Sequence, residues 1–137
     1  MKKWNSYDEM VAAQKTARNR PRHIESDIQK ECVRLFRLFY PRFLVFSVPN
    51  GGSRNAREAA ILSAEGVLPG VSDLIVVARG RVLFVEMKSP RGHQSRYQKE
   101  FQDRIEALGH EYRICHSVHE FMDTVNMWLK DRKDEER

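Results

Sequence analysis

The chain has 137 residues, of which 41% are hydrophobic and 31% charged, a balance that fits one globular domain with a single core. No apolar stretch reaches the length that a membrane-spanning helix needs, and the first ten residues lack the apolar segment of a secretory signal. We therefore expect a soluble, intracellular protein with no membrane partner.

The net charge of +5 is concentrated at the beginning of the chain. Residues 1–23 contain six Lys and Arg residues against two acids, whereas residues 92–137 carry more acids than bases. Such a basic arm suits contact with a polyanion, although a merely solvated charged segment has the same composition. The two cysteines, Cys32 and Cys115, form no Cys-x-x-Cys pair, so we expect reduced core thiols rather than a zinc site.

Hydrophobic periodicity and turn-forming residues divide the chain into alternating predicted helices and strands. Their order predicts an α/β fold in which a central mixed sheet carries helices on its faces. We expect a basic arm at 1–23, a domain at 24–130 and a charged tail at 131–137. The predicted elements are a helix at 24–40, a strand at 42–48, a helix at 56–66, strands at 73–78 and 82–88, a helix at 95–108, a strand at 111–116 and a helix at 118–130.

Two of the predicted helices have a clear apolar face, which we expect to enter the core. These faces consist of Ile24, Ile28, Cys32, Leu35, Phe36 and Phe39 in the first helix and of Tyr97, Phe101, Ile105 and Leu108 in the third.

Three charged residues, Asp73, Glu86 and Lys88, interrupt the apolar sequence of the two central strands. A charged side chain in a buried strand costs several kcal/mol unless a partner compensates it. Because side chains alternate along a strand, Glu86 and Lys88 lie on the same face. Polarity therefore enters this strand pair at one end and on one face.

The turn between the two strands predicts how the acids are arranged. If Arg79 and Gly80 form a two-residue turn, Asp73 lies directly opposite Glu86, with Cβ atoms about 4.5–5.5 Å apart. A bulge would shift this register by one residue. Two carboxylates at that separation repel each other, and a divalent cation would remove the conflict.

This arrangement predicts a magnesium-type site, since Mg²⁺ takes oxygen ligands and keeps several waters. Asp73 and Glu86 would be ligands, and the backbone carbonyl of Met87 a third. Lys88 would orient or deprotonate an attacking water and stabilise the charge that develops on a phosphate. The alternative is a structural ion pair between an acid and the lysine beside a turn, and a Glu-x-Lys on a strand is by itself a weak signal.

With these residues in place, the chain resembles the VRR-NUC (virus-type replication-repair nuclease) branch of the PD-(D/E)XK nuclease superfamily over about residues 24–130. Ser72 departs from the superfamily name because it replaces the proline before Asp73, whereas Pro69 and Gly70 match the VRR-NUC form of that turn. The matching segments are Glu25 on the first helix, PNGG at 49–52, GVLPGVSD at 66–73, EMKS at 86–89 and GHQSRYQKEF at 92–101.

The resemblance implies a restriction-endonuclease-like core and a Mg²⁺- or Mn²⁺-dependent DNA endonuclease that acts on branched DNA such as four-way (Holliday) junctions in DNA repair. Asp73 and Glu86 would bind the metal, and Lys88 would be the catalytic lysine. Glu25 would complete the outer sphere of the metal or hold a second ion, and Gln98 would position the lysine or a phosphate. The resemblance also implies a homodimer, which presents two active sites to a junction.

Several residues around these positions are candidates for DNA phosphate contact. Two functions remain open besides the junction nuclease: a non-catalytic DNA-binding or scaffolding module, and a nuclease for flaps or duplex ends. Glu25 would also serve as an ordinary acid at a helix start. The candidate DNA contacts are Asn50 and Arg54 in the glycine-rich loop and Arg91, His93, Arg96 and Lys99 around the start of the third predicted helix.

Overall fold

The computed structural model describes Tyr7 and residues 24–49 and 55–131. The rest of the predicted basic arm, the loop at 50–54 and the end of the predicted tail lie outside the described residues. Helices and strands follow one another in the predicted order. They are α1 (Ile24–Phe39), β1 (Leu44–Ser47), α2 (Ala56–Ala64), β2 (Leu74–Ala78), β3 (Arg81–Met87), α3 (Arg96–Ala107), β4 (Glu111–Cys115) and α4 (Val118–Lys130).

The strands form one mixed sheet in the spatial order β1-β2-β3-β4. The pairs β1–β2 and β2–β3 are antiparallel, whereas β3 and β4 are parallel. Parallel neighbours need a crossover connection, and α3 supplies it. The predicted α/β architecture is thus confirmed, and the central position of β2 and β3 explains why both of these strands are apolar on both faces.

The main core lies between the sheet and the helices α1 and α4, which pack against each other. On the opposite face α3 contributes Phe101, whose ring centroid lies 5.6 Å from that of Phe84 and 6.1 Å from that of Tyr112. No residue of α2 is buried. The side chains that fill the main core are Cys32, Phe36, Val45, Leu74, Val76, Ala78, Leu83, Val85, Met87, Cys115, Phe121, Val125 and Trp128.

The predicted apolar helix faces were too long at both ends. Ile24 and Phe39, the first and last residues of α1, are 50% and 56% exposed, and Tyr97 and Leu108, at the two ends of α3, are 58% and 72% exposed. These terminal positions follow the helical spacing, but their side chains remain largely exposed to solvent. Periodicity therefore identified the correct stripe and overestimated its length.

Both cysteines are buried and free, as predicted. Burial raises the pKa of the Cys32 thiol, and burial raises the pKa of the Cys115 thiol to about 11. Neither thiol is therefore ionised at neutral pH, which is the state of an inert core residue.

A charged cluster fastens β3, β4 and α4 together at the end of the sheet where β3 begins. Arg81 donates from Nη2 to Glu111 Oε1 at 2.6 Å and from Nη1 to the Trp128 carbonyl at 2.8 Å. Trp128 Nε1 donates to the same Glu111 oxygen at 2.9 Å, and the Arg81 guanidinium lies 4.6 Å from the Trp128 ring centroid. Burial alone would raise the pKa of Glu111, but these hydrogen bonds outweigh it and lower that pKa.

We expect Glu111→Gln to lower the free energy of unfolding by about 1–2 kcal/mol at neutral pH, because it removes the charge that two donors share. Folding lowers the pKa of Glu111, so its contribution is present above the usual value of 4.5 and is lost as the pH falls through the folded value. Urea unfolding of wild type and variant should therefore converge in acid.

The matched control for this variant is Lys99→Gln, which breaks the exposed pair with Asp103 at 3.2 Å. We expect that change to cost less than about 0.5 kcal/mol. Equal losses in the two variants at neutral pH would contradict the role given to the Arg81–Glu111–Trp128 cluster.

Candidate active site

The β2–β3 hairpin brings the two predicted acids opposite each other. Its pairs run without a bulge from Ala78↔Arg81 to Leu74↔Val85, so Asp73 and Glu86 come directly after the last pair, at the same end of the two strands. Gly80 has φ +72° and closes the two-residue turn, which confirms the predicted register. Asp73 is also fixed to the neighbouring strand, since its Oδ2 accepts a hydrogen bond from the Met87 amide at 2.9 Å.

The Glu86 carboxyl is almost fully enclosed, with 1% of the residue exposed. Its Oε1 accepts a hydrogen bond from Gln98 Nε2 at 3.0 Å. Its Oε2 is buried and has no hydrogen-bond donor. Asp73 is the neighbouring hydrogen-bond partner of the protonated Glu86 carboxyl, so loss of that proton leaves a buried oxygen free for a bound cation.

The electrostatic surroundings of Glu86 join four of the predicted site residues. Burial raises the pKa of the Glu86 carboxyl to about 9, and the neighbouring Asp73 carboxyl adds to the rise. The Lys88 ammonium opposes this rise, whereas Glu25 adds to it. Lys88 is half-buried at the end of β3, and its backbone amide donates to the Cys115 carbonyl at 2.9 Å. The acids and the lysine therefore lie close enough to influence one another's charge.

Gln98 is held at both ends of its amide. Ser95 caps α3. The Ser95 backbone N–H donates to Gln98 Oε1 at 2.8 Å, and Ser95 Oγ accepts from the Gln98 backbone N–H at 3.3 Å. The remaining end of the side chain donates to Glu86. The resemblance implies that Gln98 positions the lysine or a phosphate, whereas its observed contact is with Glu86. The spacing Ser95-x-x-Gln98 is a capping-box signal in the sequence, and it would have predicted one of these contacts.

The start of α3 is seated against the turn that precedes Asp73. Gly70 has φ +85°, and a Cβ atom there would lie 2.1 Å from the Tyr97 carbonyl oxygen and 2.8 Å from the Gln98 amide nitrogen. Only a residue without a side chain permits this approach. The turn at Pro69 and Gly70 thus determines how closely Gln98 approaches the hairpin.

The predicted DNA-contact residues have different surroundings. Arg91 and His93 are exposed on the segment between β3 and α3. Arg96 and Lys99 are exposed but pair along α3, Arg96 with Glu100 at 3.0 Å and Lys99 with Asp103 at 3.2 Å. Asn50 and Arg54 lie outside the described residues.

Within residues 24–49 and 55–131, no three His, Cys, Asp or Glu side chains form a group that could hold a metal ion. The carboxylates brought together are the two of Asp73 and Glu86, while Glu25 lies on the first turn of α1 and is exposed. Mg²⁺ commonly uses one or two carboxylates and fills its remaining positions with water or substrate. The donor set, with the unpartnered Glu86 oxygen in it, fits such a hard cation.

Comparison with known proteins identifies the family and the fold of the chain. The family model of the VRR-NUC domain matches residues 25–119. A solved structure described as a VRR_NUC domain is 21% identical over 74% of this chain and 94% of its own, with a TM-score of 0.55. Another, a VRR_NUC domain protein, is 18% identical over 81% of this chain and 92% of its own, with a TM-score of 0.64.

At these identities the two structures share the fold with this chain. No curated protein matches. None of the helices in the described ranges is both long enough and apolar enough to cross a membrane.

We expect Glu86→Gln to stabilise the metal-free protein in alkaline solution. The folded Glu86 carboxyl, with a pKa of about 9 against 4.5 for the ordinary group, keeps a proton that the unfolded chain releases. Its contribution to stability is therefore present below the unfolded value and is lost as the pH rises through the folded one. Thermal unfolding with a chelator should show an advantage of the variant that grows from about pH 5 to about pH 9.

The control for this measurement is Glu100→Gln, which removes an exposed carboxyl from the same side of the sheet. Its thermal stability should depend on pH in the same way as that of wild type. A Glu86→Gln protein that loses stability relative to wild type as the pH rises would contradict the burial argument.

We expect Gly70→Ala to destabilise the fold and to displace Gln98. The new Cβ meets backbone atoms of α3 that cannot yield, and the residue must also keep a positive φ. The matched control is Gly66→Ala, which has φ +103° but nothing within 4 Å of its Cβ, so it bears the conformational cost alone. Urea unfolding should show a loss for Gly70→Ala that exceeds that of Gly66→Ala by about 1 kcal/mol or more. Equal losses would contradict the close packing.

Proposed function

The chain belongs to the VRR-NUC domain family, and we propose that it is a metal-dependent DNA endonuclease that hydrolyses phosphodiester bonds. The observation that carries the proposal is the apposition of Asp73 and Glu86 at the end of the hairpin, with the buried Glu86 Oε2 left without a donor. A purely structural ion pair would satisfy that oxygen, since an unpaired buried carboxylate is costly. A cation beside a phosphate satisfies it and gives both acids a function.

Asp73 and Glu86 would hold Mg²⁺ or Mn²⁺, with the Met87 carbonyl as a third ligand and Glu25 in the outer sphere or on a second ion. When bound, the cation supplies Lewis-acid polarisation of the phosphate and lowers the pKa of a coordinated water. One Asp73 oxygen already accepts from the Met87 amide, which orients the carboxylate. These contacts would preorganise the acids before the substrate arrives.

Lys88 and Gln98 would complete the chemistry around Glu86. The Lys88 Nζ would orient or deprotonate the attacking water and stabilise negative charge on the phosphoryl oxygens. Gln98 would hold the Glu86 carboxylate in one orientation through its fixed amide. Its role is therefore to position a ligand, much as outer-shell hydrogen bonds do at other metal sites.

We further propose branched DNA, such as four-way junctions, as the substrate and a homodimer as the active form. Both rest on the resemblance of this chain to family members that act as junction-resolving enzymes, in which two active sites face one junction. Arg91 and His93 are exposed close to the site along the chain and would contact phosphates without reading sequence. Asn50 and Arg54 remain predicted contacts of the same type.

Labelled four-way, flap and linear DNA with Mg²⁺ or Mn²⁺ should be cleaved by wild type in at least one form. We expect Asp73→Ala, Glu86→Ala and Lys88→Ala each to reduce cleavage at least about a hundredfold, because each removes a ligand or a charge present in the transition state. Gln98→Ala should cost about 10- to 100-fold, since Glu86 remains but loses its orientation. Glu100→Gln is the control and should cleave normally.

Other outcomes separate the remaining functions. Wild-type protein that binds DNA but cleaves no substrate, with Mn²⁺ calorimetry unaffected by Asp73→Ala, would favour the scaffolding module. A monomer by solution mass that cleaves duplex ends but not four-way junctions would remove the junction substrate and leave the nuclease.

A further inference from the structure

A groove of about 750 Å³ runs between the outer face of α1 and the edge strand β1. Lys30, Arg34 and Arg37 line its helix side at intervals of four and three residues, which places them on one face of α1. Phe46 of β1 lies on the other side and is 41% exposed. Among the described residues that line the groove there is no acid, so its charge is uniformly positive.

One end of this groove lies at the same end of the sheet as the two acids. Ser26, which lines the groove, follows Glu25 on the first turn of α1. Ser47, which also lines it, pairs with Leu74, and the next residue, Val48, donates to the Asp73 carbonyl at 3.1 Å. From Ser26 to Arg37 the helix rises about 16 Å, close to the rise of about five nucleotides at 3.4 Å each along a strand of duplex DNA.

We propose that this groove, along the β1 edge of the sheet, binds the phosphate backbone of the DNA substrate. The inference rests on the proposed nuclease function and adds the surface that holds one arm of the substrate. None of the three basic residues was among the DNA contacts predicted from the sequence. Their combined position, on one helix face and continuous with the acids, depends on how α1 packs beside β1.

The pairing of the basic residues favours this surface over α3. Arg96 and Lys99 each contact an acid on their own helix. Lys30 and Arg37, by contrast, have no acid within ion-pair distance in the described parts of the chain, whereas Arg34 pairs with Glu31. A cationic side chain with no acidic partner in the protein is free to neutralise a DNA phosphate, and this neutralisation makes DNA affinity depend on salt concentration.

The test compares charge-neutral variants of the full chain on four-way DNA without divalent metal. Lys30→Gln with Arg37→Gln should weaken binding about tenfold or more and reduce the slope of log affinity against log salt by about 2. The control is Arg104→Gln with Lys130→Gln, which removes the same charge from exposed positions outside the groove. The swap Lys30→Arg with Arg37→Lys keeps both cations and should restore binding.

Cleavage and metal binding distinguish this inference from the proposed function. Single-turnover cleavage at saturating DNA, and Mn²⁺ binding, should be unchanged in the groove variant, because it leaves the acids intact. A groove variant that binds with wild-type affinity and salt slope, or one that loses no more than the control pair, would overturn the inference.

If wild type cleaves DNA and the groove variant binds DNA normally, the inference about the groove is wrong and the proposed nuclease function is supported. If no substrate is cleaved but DNA binding still needs Lys30 and Arg37, the proposed nuclease function is wrong and the inference about the groove is supported.

Discussion

The site depends on one interaction, the hydrogen bond from Gln98 to a Glu86 carboxyl that is buried at the end of β3. A carboxyl in such a place is costly unless its charge is neutralised by a proton or a cation. Gln98 supplies one donor and leaves the second oxygen without one. The arrangement of Asp73, Lys88 and the start of α3 is organised around this partly satisfied group.

The topology explains how a distant helix reaches that carboxyl. Because β3 and β4 are parallel, the chain must cross from the end of one to the start of the other, and α3 makes this crossing on the face that Glu86 shares with Phe84. The ring contacts of Phe101 hold α3 on the sheet, and the missing side chain of Gly70 lets its first turn approach. The position of Gln98 beside Glu86 therefore depends both on the packing of α3 and on its polar contacts.

Local rules were sufficient for the hairpin and insufficient for its surroundings. The position of Asp73 beside Glu86 at the end of the hairpin followed from a two-residue turn and side-chain alternation, and both are properties of neighbouring residues. The partner of Gln98 and the groove beside α1 depend on how separate elements pack, which no periodicity specifies. Arg96 and Lys99 each lie four residues before an acid on α3. Their ion pairs were therefore predictable from the sequence, although the two residues were predicted only as DNA contacts.

The short β2–β3 turn also bears on the order in which the molecule folds. Closing a hairpin of adjacent strands loses less chain entropy than joining β4 to β3 across an intervening helix. The two acids are therefore expected to meet in an early, local contact, and the amide of Gln98 arrives only when the long-range parallel pair is made. A nascent chain that has formed only the hairpin would already bring the two carboxylates close together. It would still lack the Gln98 amide that orients the Glu86 carboxyl.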